Sequence, residues 1–403
     1  MTFGRVALAA GAVATVFTFA VFPLGREASL PAFAASHQDV PWPIARGHEQ
    51  QQQQRDDAFR HAKVWTPADP AAVDFKSNPA DASGLLSNPP GGVVRCRYLS
   101  DAPHGTTPKF DCVLTNGEVV KVKYGWATAE VHAEVAATRL LEALGFGADQ
   151  MFFLPHLRCF GCPRFPFEVA RGLDLVGMRE TVVRRLPDDR FVDFEWVAVE
   201  RRFAGREIVF ADKKGWAWWE LDRVDSSSGA SRAELDALRL MARFLAHWDN
   251  KAANQRLVCL SPVAPARAAE TPCRQPFAFI QDLGATFGPK KIDLKGWEAA
   301  RVWADARACR VSMKDFPYDG GTFPDAQISE AGRALAARQL GALSDQQIVD
   351  LFEAVRFSTF RGWKLHAWPV SEWARVFHQK VDDIRSAGPC PAPRQPSSRS
   401  SSN

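Results

Sequence analysis

The chain has 403 residues, of which 46% are hydrophobic, and a formal net charge of +4. A chain of this length and apolar content can bury the cores of two lobes that share a cleft. The charge is too small to favour a nucleic acid as partner, because proteins that bind nucleic acids usually carry a dense basic surface. We therefore expect no nucleic-acid ligand.

Residues 1–35 have the pattern of an export signal. Arg5 precedes an uncharged apolar stretch at residues 6–24, and Ala32-Phe33-Ala34 follows it as a small-x-small cleavage pattern. An uncleaved membrane anchor is the alternative, because the apolar stretch approaches the length of a spanning helix. Both interpretations predict an exported protein that is periplasmic, secreted or tethered to a membrane. The Ala- and Arg-rich composition hints at a bacterial source.

Two further segments have compositions typical of chain that packs no core. Residues 36–90 are rich in Gln, Asp, Pro and Ala and contain a glutamine run at 50–54. This composition predicts a flexible tether and an irregular arm. Residues 386–403, SAGPCPAPRQPSSRSSSN, are predicted to form a disordered tail.

A β-rich region is predicted after residue 90. Strand patterns occur at 93–99, 110–114 and 119–124, and Asn116-Gly117 predicts a tight turn between the last two strands. Lys121 and Lys123 lie on one face of the third strand, because side chains alternate along a strand.

A helix and a further strand complete this region. Residues 130–144, EVHAEVAATRLLEAL, have a strong helical pattern that ends at Gly145. Residues 194–199 have a strand pattern, and the charged residues 200–203 after it are a candidate hinge between lobes.

The polar segment HWDNKAAN at residues 247–254 directly follows a predicted helix at 231–246, which Ser231 and Glu234 begin as a capping box. Two short strand patterns come next, at 256–260 and 277–280, and the second leads into Gln281-Asp282-Leu283-Gly284. If these strands form a hairpin, Asn254 and Asp282 lie close together. Oxygen ligands from Asn and Asp suit Mg²⁺ or Mn²⁺. Further helix patterns, at 329–343, 344–357 and 372–384, make the C-terminal part mostly helical.

The spacing of His247, Asp249, Asn254 and Asp282 resembles the protein-kinase catalytic loop, H-R-D-L-x-x-x-N, followed by D-F-G. The helical run at residues 133–146 is similar to that of atypical kinases: secretory-pathway casein kinases, spore-coat kinases, HipA-type kinases and phosphatidylinositol kinases. The resemblance covers roughly residues 93–290. It implies an α+β, two-lobed protein-kinase-like fold, with a small β-rich N-lobe holding one long helix at 91–203 and a mostly helical C-lobe at 204–385.

The resemblance also implies roles for individual residues. Asp249 would accept the hydroxyl proton, with Lys251 as the cation near the moving phosphate. Asn254 and Asp282 would hold Mg or Mn. Lys123 would grip the phosphates of ATP, and Glu134 would orient that lysine. Lys121 is the alternative lysine and Glu130, one helical turn from Glu134, the alternative glutamate, because periodicity cannot separate them.

Several residues depart from the kinase pattern. Trp248 replaces the loop arginine, Leu283 replaces Phe, and neither G-x-G-x-x-G nor Ala-Pro-Glu is present. The segment at 100–109 would cover the nucleotide through Gly105 or form an ordinary hairpin loop. We expect an exported kinase with an unidentified acceptor, such as a protein, sugar, lipid or small molecule. A kinase-like pseudoenzyme that acts as a binding module and an unrelated exported α+β protein are the alternatives, since a cell exterior holds little ATP.

Eight cysteines are typical of an exported protein with disulfides. Cys96 and Cys112 lie on two neighbouring predicted strands, and Cys259 and Cys273 flank the loop insertion between the later strands, so each pair is a candidate disulfide. Cys159 and Cys162 form one C-x-x-C, for which a local disulfide is favoured over a zinc site. Cys309 and Cys390 remain without an assigned connectivity.

Overall fold

The computed structural model describes residues 48–99, 105–125, 128–178, 181–182, 185–209, 215–261, 272–289, 291–316, 320–359 and 367–392. The predicted export signal and residues 393–403 of the predicted tail lie outside the described residues. Within the described ranges, no helix is both long and apolar enough to cross a membrane.

The fold is a mixture of helices and sheets. The helices are α1 His48–Arg60, α2 Ala129–Ala143, α3 Pro166–Leu175, α4 Arg232–Phe244, α5 Leu294–Ala299, α6 Glu330–Gly341, α7 Asp345–Ala354 and α8 Val370–Ser386. The strands are β1 Val94–Leu99, β2 Lys109–Leu114, β3 Val119–Lys123, β4 Gln150–Phe160, β5 Phe191–Arg201, β6 Arg206–Glu207, β7 Gln255–Cys259, β8 Pro276–Ile280, β9 Arg310–Val311 and β10 Ala326–Gln327.

The first five strands form a closed barrel in the order β1-β2-β3-β5-β4. Parallel pairing of β1 with β4 closes the barrel, and the other pairs are antiparallel. Alternate residues such as Phe110, Val122 and Val199 fill its interior, as the period of two along a strand requires. The predicted Asn116-Gly117 turn joins β2 to β3, and Gly117 has the positive φ of 87° that such a turn favours.

Helix α2 lies between the barrel and the C-terminal part of the chain. Twelve of its fifteen residues are buried, because β4 and β5 cover one side and α7 the other. Nδ1 of His132 on α2 bonds the carbonyl oxygen of Val355, at the end of α7, at 2.7 Å. The helix and its side chains are therefore fixed from two sides.

The C-terminal part contains helices around an aromatic core and a small sheet, β6-β7-β8. The predicted capping boxes at Ser231 and Ser344 are both present and begin α4 and α7. The predicted hairpin of β7 and β8 is also present, with Gln255 opposite Ile280.

Lys380 on α8 is buried in this helical core, and its titration makes the stability of the fold depend on pH. Its Nζ donates to the carbonyl oxygen of Ala300 and lies 5.5 Å from the Trp297 ring centroid, but burial lowers the pKa of Lys380 to about 7. Between that value and about 10.4, the unfolded chain binds a proton that the folded protein excludes, so stability rises with pH by up to about 1.4 kcal/mol per unit. We expect Lys380→Met to remove much of that rise, measured by urea unfolding at pH 7.5, 8.5 and 9.5. If the free energy of unfolding rises equally with pH in the wild type and in Lys380→Met, this expectation is wrong.

Four disulfides are present, and they pair all eight cysteines. Three are the predicted pairs, and the fourth joins Cys309 to Cys390 across 81 positions. The Cys259–Cys273 bond closes a loop of 14 residues between β7 and β8. Closing a loop of that size stabilises a fold by about 3 kcal/mol in the chain-entropy account.

Three sequence expectations differ from the structure. The predicted disordered tail at 386–403 is packed where it is described, because Cys390 is buried and bonded to Cys309. The arm predicted to be flexible at 36–90 contributes α1 where it is described, and Phe59, Val64 and Phe75 are buried in the main core. Burial of these few apolar side chains is therefore enough to pack a segment whose overall composition is polar. The candidate hinge at 200–203 also starts later than expected, because β5 continues through Arg201.

Candidate functional site

Lys123 and Glu134 form a buried ion pair between β3 and α2. The Lys123 Nζ lies 2.6 and 2.5 Å from the two carboxylate oxygens of Glu134, and each residue is only 2% exposed. The alternatives lie elsewhere: Lys121 contacts Glu200 at 2.5 Å, and Glu130 pairs with Lys291. The structure thus separates two lysines that periodicity left equivalent.

The strand register explains this separation. Lys121 lies directly opposite Glu200 on β5, so their side chains meet across the strands. Lys123 lies opposite Ala198, whose small side chain leaves room for the lysine to reach α2. Glu134 is held there because its helix is buried on both sides.

Asp282 joins this pair from the other end of the chain. Its Oδ1 lies 3.3 Å from the Lys123 Nζ, although the two residues are 159 positions apart. Asp282 directly follows β8 and Gln281 and has a φ of 55°, in the left-handed region that L residues seldom adopt. Its side chain remains 41% exposed, so the carboxylate is accessible from solvent.

The loop at 247–254 is tied to the same place by short contacts. The Gln281 N–H donates to the Asn254 carbonyl oxygen at 2.7 Å, which places Asn254 beside the residue before Asp282. The Asn254 Nδ2 donates to the Asp249 carbonyl oxygen at 2.7 Å, and the Lys251 Nζ lies 2.9 Å from the Asp249 Oδ2. These contacts fix the backbone and one carboxylate oxygen of Asp249.

The other carboxylate oxygen of Asp249 has no hydrogen-bond partner among the residues that the structure describes. Its Oδ1 is buried, and no donor in the described part of the chain reaches it. A buried carboxylate oxygen without a hydrogen bond is unfavourable and is usually explained by a ligand or a catalytic role. In this loop, His247 shares with Asp249 the property of a buried polar atom that no described residue satisfies.

The charges of the cluster reinforce one another. Burial opposes protonation of Lys123, but the charges of Asp282, Glu134 and Glu200 raise its pKa well above the ordinary value. The Lys123 charge in turn holds the pKa of Asp282 well below its usual range. Burial raises the pKa of Glu134. Three carboxylates, those of Glu134, Glu200 and Asp282, therefore surround one ammonium group.

His247 supports the loop without carrying charge. Its ring is fully buried, neither ring nitrogen has a hydrogen-bond partner among the described residues, and burial lowers its pKa to about 4. His247 is therefore a buried, neutral ring at neutral pH, two residues before Asp249.

Two buried acids near the site were missed by the sequence interpretation. Glu200 is 1% exposed, contacts Lys121, lies 3.8 Å from the Lys123 Nζ and accepts a bond from the Gln281 Nε2. Asp149 accepts a bond from the Phe203 N–H at 2.7 Å and so fixes the chain just after β5. For Glu200, the one available signal was its position at the end of the apolar strand sequence VAVE. An acid at such a position is ordinarily interpreted as part of a solvated turn.

The donor set at Asn254 and Asp282 fits a hard divalent cation. The Asn254 amide nitrogen is fixed on the Asp249 carbonyl, and no donor within the described ranges occupies its amide oxygen. The Asp282 carboxylate is ionised and partly exposed. One carboxylate and one amide oxygen suit Mg²⁺ or Mn²⁺, which complete their shells with water and phosphate oxygens.

Comparison with known proteins identifies no family for this chain. No protein-family profile and no curated protein matches it. Among solved structures, it is similar to the Helicobacter pylori proinflammatory kinase CtkA, with 11% sequence identity and a TM-score of 0.38. The similarity covers 72% of this chain and 92% of that chain.

Proposed function

We propose that this protein is an atypical kinase-like phosphotransferase that moves a phosphate from a nucleotide such as ATP to an acceptor still to be identified. One observation carries the proposal: the Lys123–Glu134 pair and Asp282 meet within 3.3 Å, beside a loop that positions Asp249 and Asn254. Phosphoryl transfer requires these groups together, namely a cation for phosphate, oxygen ligands for a metal ion and a proton acceptor.

In this proposal, Lys123 binds the phosphates nearest the nucleoside. Glu134 positions the ammonium group of Lys123. Because Glu134 is almost fully buried, its carboxylate stays in place when a ligand binds. Asn254 and Asp282 would hold Mg or Mn. When bound, the metal ion would supply positive charge that neutralises the charge developing during transfer.

Asp249 accepts the proton of the attacking hydroxyl group. Its Oδ1, which no described donor occupies, provides the acceptor, while Lys251 holds the other oxygen and would contact the moving phosphate. Burial around Asp249 strengthens these electrostatic interactions, since water screens them less.

The four disulfides support a location in an oxidising compartment outside the cytoplasm. Such a location fits the predicted export signal. The acceptor would be a molecule that carries a hydroxyl group, because Asp249 is placed to remove a hydroxyl proton.

Asp282→Ala tests the proposal. We expect the wild type to melt at a higher temperature in Mg-ATP or Mn-ATP than in ATP with EDTA, and the variant to lose this metal-dependent shift. Loss of a charged ligand lowers affinity at least about tenfold. Asp382→Ala, at a side chain 74% exposed on α8, is the matched control. Equal shifts in wild type and Asp282→Ala would remove Asp282 from the metal site, and no shift in the wild type would contradict nucleotide binding altogether.

A further inference from the structure

Lys109, which opens β2, is a third lysine on the face of the barrel that holds the proposed phosphate site. It lies directly opposite Lys123 in the antiparallel pairing of β2 with β3. Residues directly opposite in such a pair project to the same side of the sheet. The next residue, Phe110, points into the barrel core. Lys109 therefore lies on the same side of the sheet as Lys123, and this side, with Glu134 and Asp282, is called the crevice below.

The end of the Lys109 side chain approaches the loop that precedes β2. A Cβ atom placed on Gly105 would lie 3.2 Å from the Lys109 Nζ, so the ammonium group lies against the backbone of this loop. Gly105 has a φ of 87°, which allows the chain to turn there without strain. The ammonium group thus lies beside Gly105, on the residue that is opposite Lys123 in the strand register.

Lys109 differs from the other crevice lysines in lacking a partner. Lys121, Lys123 and Lys251 each contact a carboxylate, whereas no hydrogen bond or ion pair joins Lys109 to any residue in the described ranges. Its side chain is nevertheless half-buried. Burial and the neighbouring Lys123 charge lower the pKa of Lys109, and the charges of Asp282 and Glu134 offset this only in part.

Two lysines directly opposite each other destabilise a sheet unless an anion lies between them. The carboxylates of Glu134, Glu200 and Asp282 compensate Lys123 from the side of α2 and β8. Among the described residues, no equivalent group reaches Lys109 from the side of the loop. A negatively charged ligand would supply the charge that compensates Lys109 on this side.

We propose that Lys109 binds the terminal phosphates of a nucleoside triphosphate and makes the crevice select a triphosphate over less charged nucleotides. This inference rests on the proposed function and adds a specificity residue to it. Lys123 contacts the phosphates nearer the nucleoside from β3, and Lys109 contacts the outer phosphates from β2, next to the loop at Gly105.

Dissociation constants for Mg-ATP, Mg-ADP and adenosine, measured on the full chain by calorimetry, test the proposal. For Lys109→Gln, we expect at least about a tenfold loss of affinity for Mg-ATP, a smaller loss for Mg-ADP and no change for adenosine. Lys109→Arg keeps the charge and should retain most of the preference for Mg-ATP. Lys314→Gln, at a side chain 80% exposed, is the control for loss of a lysine charge.

The outcomes separate this inference from the function on which it rests. If the wild type binds Mg-ATP and Lys109→Gln binds it equally well, the role of Lys109 is wrong and the kinase proposal stands. An equal loss for ATP and adenosine would indicate a structural role and would also overturn the inference. If the wild type binds no nucleotide, both proposals fail.

Discussion

Asp249→Asn is expected to lower phosphoryl transfer about a thousandfold, within the range that loss of a general base produces, and to leave Mg-ATP affinity nearly unchanged. Asparagine has the shape of aspartate, but its amide cannot accept a proton at the position of the buried Oδ1. The bond from the Asn254 Nδ2 goes to the backbone of Asp249, so the substitution leaves the loop in place. The binding groups Lys123 and Asp282 are untouched.

Two readouts, neither needing the acceptor, measure this effect. One is release of phosphate from Mg-ATP or Mn-ATP by hydrolysis, and the other is transfer of labelled γ-phosphate to the protein itself. Asp382→Asn, on the exposed face of α8, is the control and should behave as the wild type. Unchanged turnover in Asp249→Asn would exclude Asp249 as the base. Binding of nucleotide by a wild type that transfers no phosphate would favour the pseudoenzyme alternative.

Local patterns in the sequence predicted the elements around the site. The capping pair Ser231 and Glu234 and the Asn116-Gly117 turn act over a few residues, and both are present as predicted. The β7–β8 hairpin follows from two short strands separated by one loop, and it brings Asn254 and Asp282 together. Interactions between residues that are close in the sequence can therefore be predicted from the sequence alone.

Features that depend on distant pairing could not be predicted in the same way. Lys121 and Lys123 share a face of β3, and only the register of β3 with β5 decides that Lys121 meets Glu200. The buried acid Glu200 resembles a solvated residue at a strand end until β4 and β5 are paired. The Cys309–Cys390 bond spans 81 positions, and sequence alone gives no preferred partner at that distance.

The position of α2 bears on how the site is maintained. The bond of His132 with Val355 and the stacking of Arg356 3.8 Å from the Trp196 ring centroid both join the barrel region to the end of α7. Glu134 lies on that same helix, two residues from His132. The Lys123–Glu134 pair is therefore held by packing within the fold itself.

Lys123→Met is expected to lower the free energy of unfolding by about 3 kcal/mol, because removal of one partner from a buried ion pair leaves the other charge uncompensated. Lys123 is 2% exposed and contacts Glu134, with Asp282 at 3.3 Å and Glu200 at 3.8 Å. Lys121 is engaged by Glu200 and cannot replace it at Glu134. Urea unfolding with the disulfides intact measures the change.

A second variant separates the lost ion pair from the lost packing. Lys123→Met combined with Glu134→Gln removes both charges, and we expect it to recover part of the lost stability but none of the Mg-ATP binding. Lys314→Met, which breaks an exposed pair with Asp325, should change stability by less than about 1 kcal/mol. If Lys123→Met is as stable as the wild type, the buried pair does not hold β3 to α2. Full Mg-ATP affinity in the double variant would mean that phosphate binds elsewhere, because Lys123 is the most deeply buried of the crevice lysines and the one that contacts Asp282.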